Sequence, residues 1–248
     1  MSKIGLIQGH GLDLTDKISG GKDHFMNTPY GKPSAKFITG KIGKTDIVAI
    51  QRHGSKDDIP AFLVNYKANI SVFKEMECTH ILASSVCGSL QEEIIVGEFV
   101  VFDQFIDLTT HRELTYTEKL PLDQLNLSAF NKPFSDEIRD ALIESSVVHG
   151  YTIHTKGTVL AVDGPRQSTR AESNLFRNWG ADVVNTTTAP EAILAHELGI
   201  QYGALSLCTY YDTWRTDIEP ATRKEKREVI SANSDKMQQI VLTALSKL

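Results

Sequence analysis

Short runs of Val, Ile, Leu and Phe alternate along this chain with longer stretches in which apolar residues recur every three or four positions. The first pattern predicts strands over residues 3–8, 35–42, 44–51, 79–85, 98–106, 157–162, 183–185 and 203–208. The second predicts helices over residues 64–76, 135–149, 169–179, 189–198 and about 221–246. The last of these carries Val229, Met237, Ile240, Val241 and Leu245 with charge between them, the pattern of a helix docked by one face. Hairpin-like strands near residue 40, followed by strand–helix units, predict an α/β fold with a mixed, largely parallel sheet flanked by helices. A single domain over residues 1–248 fits the length. Residues 108–133 form a long, partly polar loop, the kind that serves as a lid or a subunit contact.

Composition narrows the class. Apolar residues make up 41% and charged residues 23%, ordinary for a globular enzyme. No apolar run is long enough to span a bilayer, and the first residues lead into a strand without a signal-peptide pattern. A formal net charge of −5 argues against a nucleic-acid surface. Cys78, Cys87 and Cys208 are odd in number and set in apolar surroundings, so buried free thiols in a reducing, cytoplasmic compartment are expected. They lack the paired ligands of a metal site, and no metal is expected.

Polar loops recur where apolar strands end. Gln8-Gly9-His10-Gly11 follows the first strand; its glycines suit close approach of backbone to an anion, or simply a tight turn. Arg52-His53-Gly54 offers a bidentate phosphate partner with a second donor beside it. Ser84-Ser85-Val86-Cys87-Gly88-Ser89 places small residues where a ligand would lie across a sheet end. After Gly164-Pro165, Ser168 or Thr169 can cap a helix, and Glu172 is either part of a capping box or a carboxylate aimed at a ligand. Val184-Asn185-Thr186-Thr187-Thr188 gathers three hydroxyls and an amide before a helix, with Pro190 read as first-position helix architecture. In Thr209-Tyr210-Tyr211-Asp212 a carboxylate sits among aromatics able to stack on a flat heterocycle.

Taken in order, these segments resemble the trimeric purine nucleoside phosphorylase family, and within it the S-methyl-5′-thioadenosine phosphorylase branch. The resemblance extends over Asn27-Thr28-Pro29-Tyr30-Gly31-Lys32-Pro33, Val64-Asn65-Tyr66-Lys67-Ala68-Asn69 and Arg170-Ala171-Glu172-Ser173. It implies phosphorolysis: phosphate attacks C1′ of a purine nucleoside through an oxocarbenium-like transition state, and the base leaves. It implies inorganic phosphate as co-substrate, no other cofactor, a part in purine salvage and a homotrimer with no nucleic-acid or membrane partner. By position, His10, Arg52, His53, Ser85, Val86, Thr187 and Thr209 match the phosphate site. Thr186, Ser168, Gln167 and Asp212 match the nucleoside site, with Ser168 and Asp212 pointing to an adenine-type base. Asp212, Tyr210 and His53 fall at the catalytic positions.

The chain also departs from that family. His10 replaces a phosphate-binding hydroxyl, Gln167 an aromatic that stacks near the base, and Thr186 a methionine under the ribose. Tyr210 replaces a carboxylate, and its reference pKa of about 10 makes it a weaker proton donor at neutral pH. The loop near Leu127 lacks the branch's histidine, and Thr222-Arg223-Lys224-Glu225 replaces the usual start of the last helix. Three readings follow: a phosphorylase for a 5′-modified adenine-type nucleoside, a hydrolytic nucleosidase or related enzyme with altered substrate, or a non-catalytic nucleoside-binding relative. A basic 5′ pocket around Arg223, accepting an acidic 5′ group, is a variant of the second.

Overall fold

The computed structural model describes residues 3–118 and 129–248. The prediction concerning Leu127, and part of the long loop, lie outside the described residues. One sheet runs in the order β2 (Ser19–His24), β3 (Phe37–Ile42), β4 (Thr45–Gln51), β1 (Lys3–Gln8), β5 (His80–Ser89), β10 (Val183–Asn185), β9 (Thr158–Ala161), β7 (Gln104–Asp107). Strand β11 (Gln201–Tyr211) joins β5 on its other edge and passes the sheet on to β6 (Phe99–Val101) and β8 (Ile153–His154). Pairings β1–β4, β1–β5, β5–β11, β9–β10, β7–β9 and β6–β8 are parallel; β2–β3, β3–β4, β5–β10 and β6–β11 are antiparallel. The sheet is therefore mixed and mostly parallel, as the strand–helix alternation implies.

Alternation along β1 shows how the layers form. Ile4 and Leu6 pack with Ile138 and Leu142 of α2 (Asp136–His149) and Met237, Ile240 and Val241 of α5 (Arg223–Leu245). Ile7 packs on the opposite face with Ile70 and Phe73 of α1 (Tyr66–Glu75) and Ala192 and Leu194 of α4 (Thr188–Glu197). A two-residue period thus feeds two helical layers, one on each face. A smaller cluster joins Phe176 of α3 (Arg170–Asn178) to Leu160 and Val184 of the sheet.

Several boundaries differ from expectation for identifiable reasons. The strand expected over 98–106 is two strands, because β6 pairs with β11 and β7 with β9. The chain crosses between them at Asp103, whose carboxylate accepts from the Gly157 N–H at 3.0 Å. Strand β5 does not end at Ser85 but continues to Ser89, held by β11 through a bulge at Cys208–Tyr210. Pro190 is the third residue of α4, not the first; the missing N–H is still harmless within the first turn. Glu172 belongs to a capping box with Thr169, which settles that alternative as structural. Edge strand β2, Ser-Gly-Gly-Lys-Asp-His, gave no apolar signal because its residues are almost all exposed. All three cysteines are free and buried.

Gly5 is required by packing: a Cβ there would stand 2.7 Å from Cδ1 of the fully buried Phe73. Gly5→Ala is expected to lose about 1–3 kcal/mol of stability, the usual range for overpacking. Urea denaturation measures this, and Phe73→Leu in the same chain is expected to recover part of the loss.

Candidate active site

The site begins at a split in the sheet. On one edge, β5 pairs with β1 up to Ala83 and with β10 only from Gly88. The intervening backbone must bond elsewhere. The Ser84 carbonyl accepts from Nη1 of Arg52 at 2.7 Å, and the Ser84 hydroxyl accepts from the Gly9 N–H at 2.9 Å. Gly9 must be glycine, since a Cβ would collide with the Arg52 guanidinium and stand 2.5 Å from the Ser84 carbonyl oxygen.

Arg52 is only 1% exposed, and Glu191 meets it in the interior. Nε donates to Oε1 at 2.5 Å and Nη2 to Oε2 at 2.9 Å, while the Tyr202 hydroxyl donates to Oε2 at 2.7 Å. Burial alone would lower the guanidinium pKa, but the Glu191 carboxylate more than offsets this and holds it raised. The pair is locked, fork to fork, and close to neutral as a unit.

His53 donates from Nδ1 to the Ile59 carbonyl at 2.9 Å, which leaves Nε2 as an acceptor. Burial, then Arg52 and His10, push its pKa down to about 3, so the ring is neutral at physiological pH. The His10 ring lies 4.3 Å from it, centroid to centroid, with Nε2 3.2 Å from Oδ1 of Asp57. Burial lowers the His10 pKa, Asp57 opposes this, and Arg52, Arg227 and Arg223 add to the lowering.

These groups open onto a cavity of about 580 Å³. Its walls include His10, Arg52, His53, Ser85, Val86, Thr186, Thr187, Thr209 and Tyr210, so all seven residues expected at the phosphate site share one space. Thr187 is the N-cap of α4 yet makes no side-chain cap bond; the third helical residue is Pro190, which has no N–H to offer, and Asn185 binds Thr188. Its hydroxyl is thereby left to the cavity at a helix N-terminus, a favourable place for an anion. Ser85 bonds the Ser206 hydroxyl at 3.0 Å, and Thr209 donates to the Cys87 carbonyl at 3.3 Å.

A second lobe, about 280 Å³, is lined by residues 162–168, Val184 and Asn185 and shares Pro60, Ala61, Thr186, Tyr210 and Lys226 with the first. Gln167 and Ser168 belong to it. Asp212 lines neither lobe; it is 2% exposed, and neither carboxylate oxygen has a well-aligned hydrogen-bond partner among the described residues. Burial raises its pKa, while the nearby Ser173 and Ser168 hydroxyls and the Thr213 N–H pull the other way. The Tyr210 hydroxyl is also shifted upward, by burial and then by Asp212.

The family model for the phosphorylase superfamily matches residues 3–246. This chain belongs to that superfamily. S-methyl-5′-thioadenosine phosphorylase of Danio rerio is 42% identical over 248 residues, spanning 99% of this chain and 89% of the relative. The same enzyme of Xenopus tropicalis is 41% identical over 249 residues, spanning 99% and 89%. Methylthioadenosine phosphorylase from Schistosoma mansoni in complex with adenine has a TM-score of 0.92 at 32% identity, over 99% of this chain and 91% of that one. The activity that accompanies membership is pentosyl transfer to phosphate, the phosphorolysis of a purine nucleoside.

Sequence reasoning missed several walls of this phosphorylase's cavity. Asp57, Ile59 and Ala61 come from the segment after β4, and Lys226, Arg227 and Ile230 from α5, beside the Arg223 that the sequence already singled out. Arg112 is also new. It donates to the Asp163 carboxylate at 3.0 Å, the Ala61 carbonyl at 2.6 Å and the Thr186 carbonyl at 3.4 Å, tying three cavity segments together. Only the α5 group had a local signal, the changed start of the last helix. Among the described residues no group of three His, Cys, Asp or Glu side chains is placed to hold a metal, and no helix is long and apolar enough to cross a membrane.

Glu191→Gln should cost about 3–5 kcal/mol in urea unfolding, because it leaves the buried guanidinium without its counter-charge. Acid gives a separate signature. An unfolded histidine takes a proton near 6.5, whereas folded His53 resists down to about 3. Between those values the unfolded chain binds more protons, so stability should fall as pH drops, by at most about 1.4 kcal/mol per pH unit for this group. His53→Gln is expected to flatten that part of the stability–pH curve; an unchanged slope would show that another group sets it.

Proposed function

We propose that this phosphorylase acts on an adenine-type nucleoside modified at its 5′ carbon, S-methyl-5′-thioadenosine being the reference compound, and yields adenine and the matching pentose 1-phosphate. The observation that carries this reading is the joining of two lobes at Thr186 and Tyr210. One lobe has anion-suited donors, the other a peptide wall fit for a flat base, and the glycosidic bond would lie where they meet.

On this reading Ser85, Thr187 and Thr209 hold phosphate beneath C1′, with His10 and His53 at its edge and Val86 shaping the floor. Arg52 fixes the Ser84 carbonyl and the start of α4 and adds its remaining N–H groups. The transition state gathers positive charge on the sugar, which the bound phosphate neutralises, so positioning and electrostatics supply the acceleration. Thr186 supports the ribose, Gln167 and Ser168 face the base, and Tyr210 backed by Asp212 supplies hydrogen bonding to the leaving purine. A carboxyl whose pKa is raised by burial keeps its proton closer to neutral pH, which suits protonation of a leaving nitrogen. A homotrimer, a cytoplasmic location and a part in purine salvage complete the proposal, supported by the family resemblance and by three reduced, buried thiols.

Chromatography of methylthioadenosine incubated with the protein tests this. Adenine should appear only when phosphate is present, with the sugar recovered as its 1-phosphate. Release that ignores phosphate would instead identify a hydrolase, and binding without release a sensor. Thr187→Val should lower kcat/KM for phosphate by about 10- to 100-fold, the range for losing a hydrogen bond to a charged group.

A further inference from the structure

We propose that the 5′ substituent of the substrate carries negative charge, as a carboxylate or a phosphate ester, and that Arg223 and Arg227 at the start of α5 select it. This rests on the nucleoside phosphorolysis reading above and names its substrate class. Arg223, Lys226 and Arg227 all line the larger lobe. Their spacing of three and four residues puts them on one helix face, where like charges repel. They also occupy the first turns of the helix, where the backbone dipole already presents positive charge. Nothing in the helix offsets this on the cavity side. Glu225 is turned back into a capping box with Thr222, and Lys224 lies 3.8 Å from Glu228 in its own pair. Arg223 and Arg227 form no ion pair among the described residues, and Lys226 Nζ lies 3.6 Å over the Tyr210 ring.

The phosphate end makes a contrast. Its one buried cation is matched by Glu191, and His53 is neutral. The cavity also holds Asp57, which faces His10, and Asp58, against the three cations of α5. The surplus positive charge of the cavity is therefore on α5. Phosphate and base both meet the sugar at C1′, so the wall that neither occupies faces the other end of the ribose, where C5′ lies. A neutral thioether has no use for two unpaired guanidinium groups; a carboxylate or phosphate oxygen pairs with them directly.

Phosphate-dependent adenine release is to be compared for methylthioadenosine, adenosine, adenosine 5′-carboxylate and adenosine 5′-monophosphate. The acidic nucleosides should exceed methylthioadenosine in kcat/KM by at least about tenfold. The double variant R223Q/R227Q, which keeps good helix formers on an exposed face, should cut that ratio by a similar factor. The carboxylate and monophosphate arms tell which anion is preferred. Methylthioadenosine favoured over both acids, or a ratio unmoved by the variant, would overturn the proposal. So would a variant that raises the KM for inorganic phosphate equally with every nucleoside, since the arginines would then serve the nucleophile. Should no nucleoside release base, the phosphorolysis reading fails on its own. Calorimetric binding of the acidic against the neutral nucleosides then decides the charge preference separately, with equal affinities counting against it.

Discussion

Everything at this site leans on the buried pairing of Arg52 with Glu191. A guanidinium in the interior is tolerable only with a matched carboxylate and its remaining donors satisfied. Here the match joins the end of β4 to the first turn of α4, and Nη1 caps the open carbonyl of β5. Three elements distant in sequence are fixed relative to one another by one planar group. Tyr202 on β11 adds a fourth. The cavity walls are these same elements, so its shape follows from the pair. Arg112 repeats the device on a smaller scale, holding the segments that carry Ala61, Asp163 and Thr186.

The same pairing sets the electrostatics. Because Glu191 matches Arg52, the phosphate end relies on hydroxyls, backbone dipoles and a neutral His53 rather than on net charge. Oriented neutral donors bind an anion without holding it so tightly that its nucleophilicity is lost, in keeping with stabilising the transition state more than the ground state. Unmatched positive charge stands on α5 instead, close enough to lower the pKa of His10. On this account the two ends of the cavity distinguish two anions, the one that reacts and the one that identifies the substrate.

The sheet-forming strands and the main helices were legible because their apolar periods of two and of three to four are dictated by burial on one or both faces. β2 was not, since an exposed edge strand of glycines and charges carries no such period. The Glu98–Ile106 stretch reads as one strand because both halves are apolar; only the partners of each half reveal the crossing at Asp103. The residues expected at the phosphate site do converge, and their loops were recognisable from hydroxyls and glycines at strand ends. That Arg52 is an interior ion pair could not be read from Arg52-His53-Gly54, because its partner lies 139 residues away. Asp212 reads in sequence as a ligand-facing carboxylate among aromatics, whereas in the fold it is enclosed and lines neither lobe. The contribution of α5 depended on which helix face meets the cavity, and its amphipathic pattern identifies only the face that meets the core.

The central claim is that one continuous cavity places phosphate and purine on either side of Thr186. A crystal structure with adenine and phosphate bound together tests it most directly. The account predicts phosphate within hydrogen-bond distance of the Thr187 and Ser85 side chains, and adenine in the lobe bounded by Gln167 and Ser168 with its edge toward Tyr210. Phosphate seated on Arg223 and Arg227 instead, or adenine outside that lobe, would contradict it.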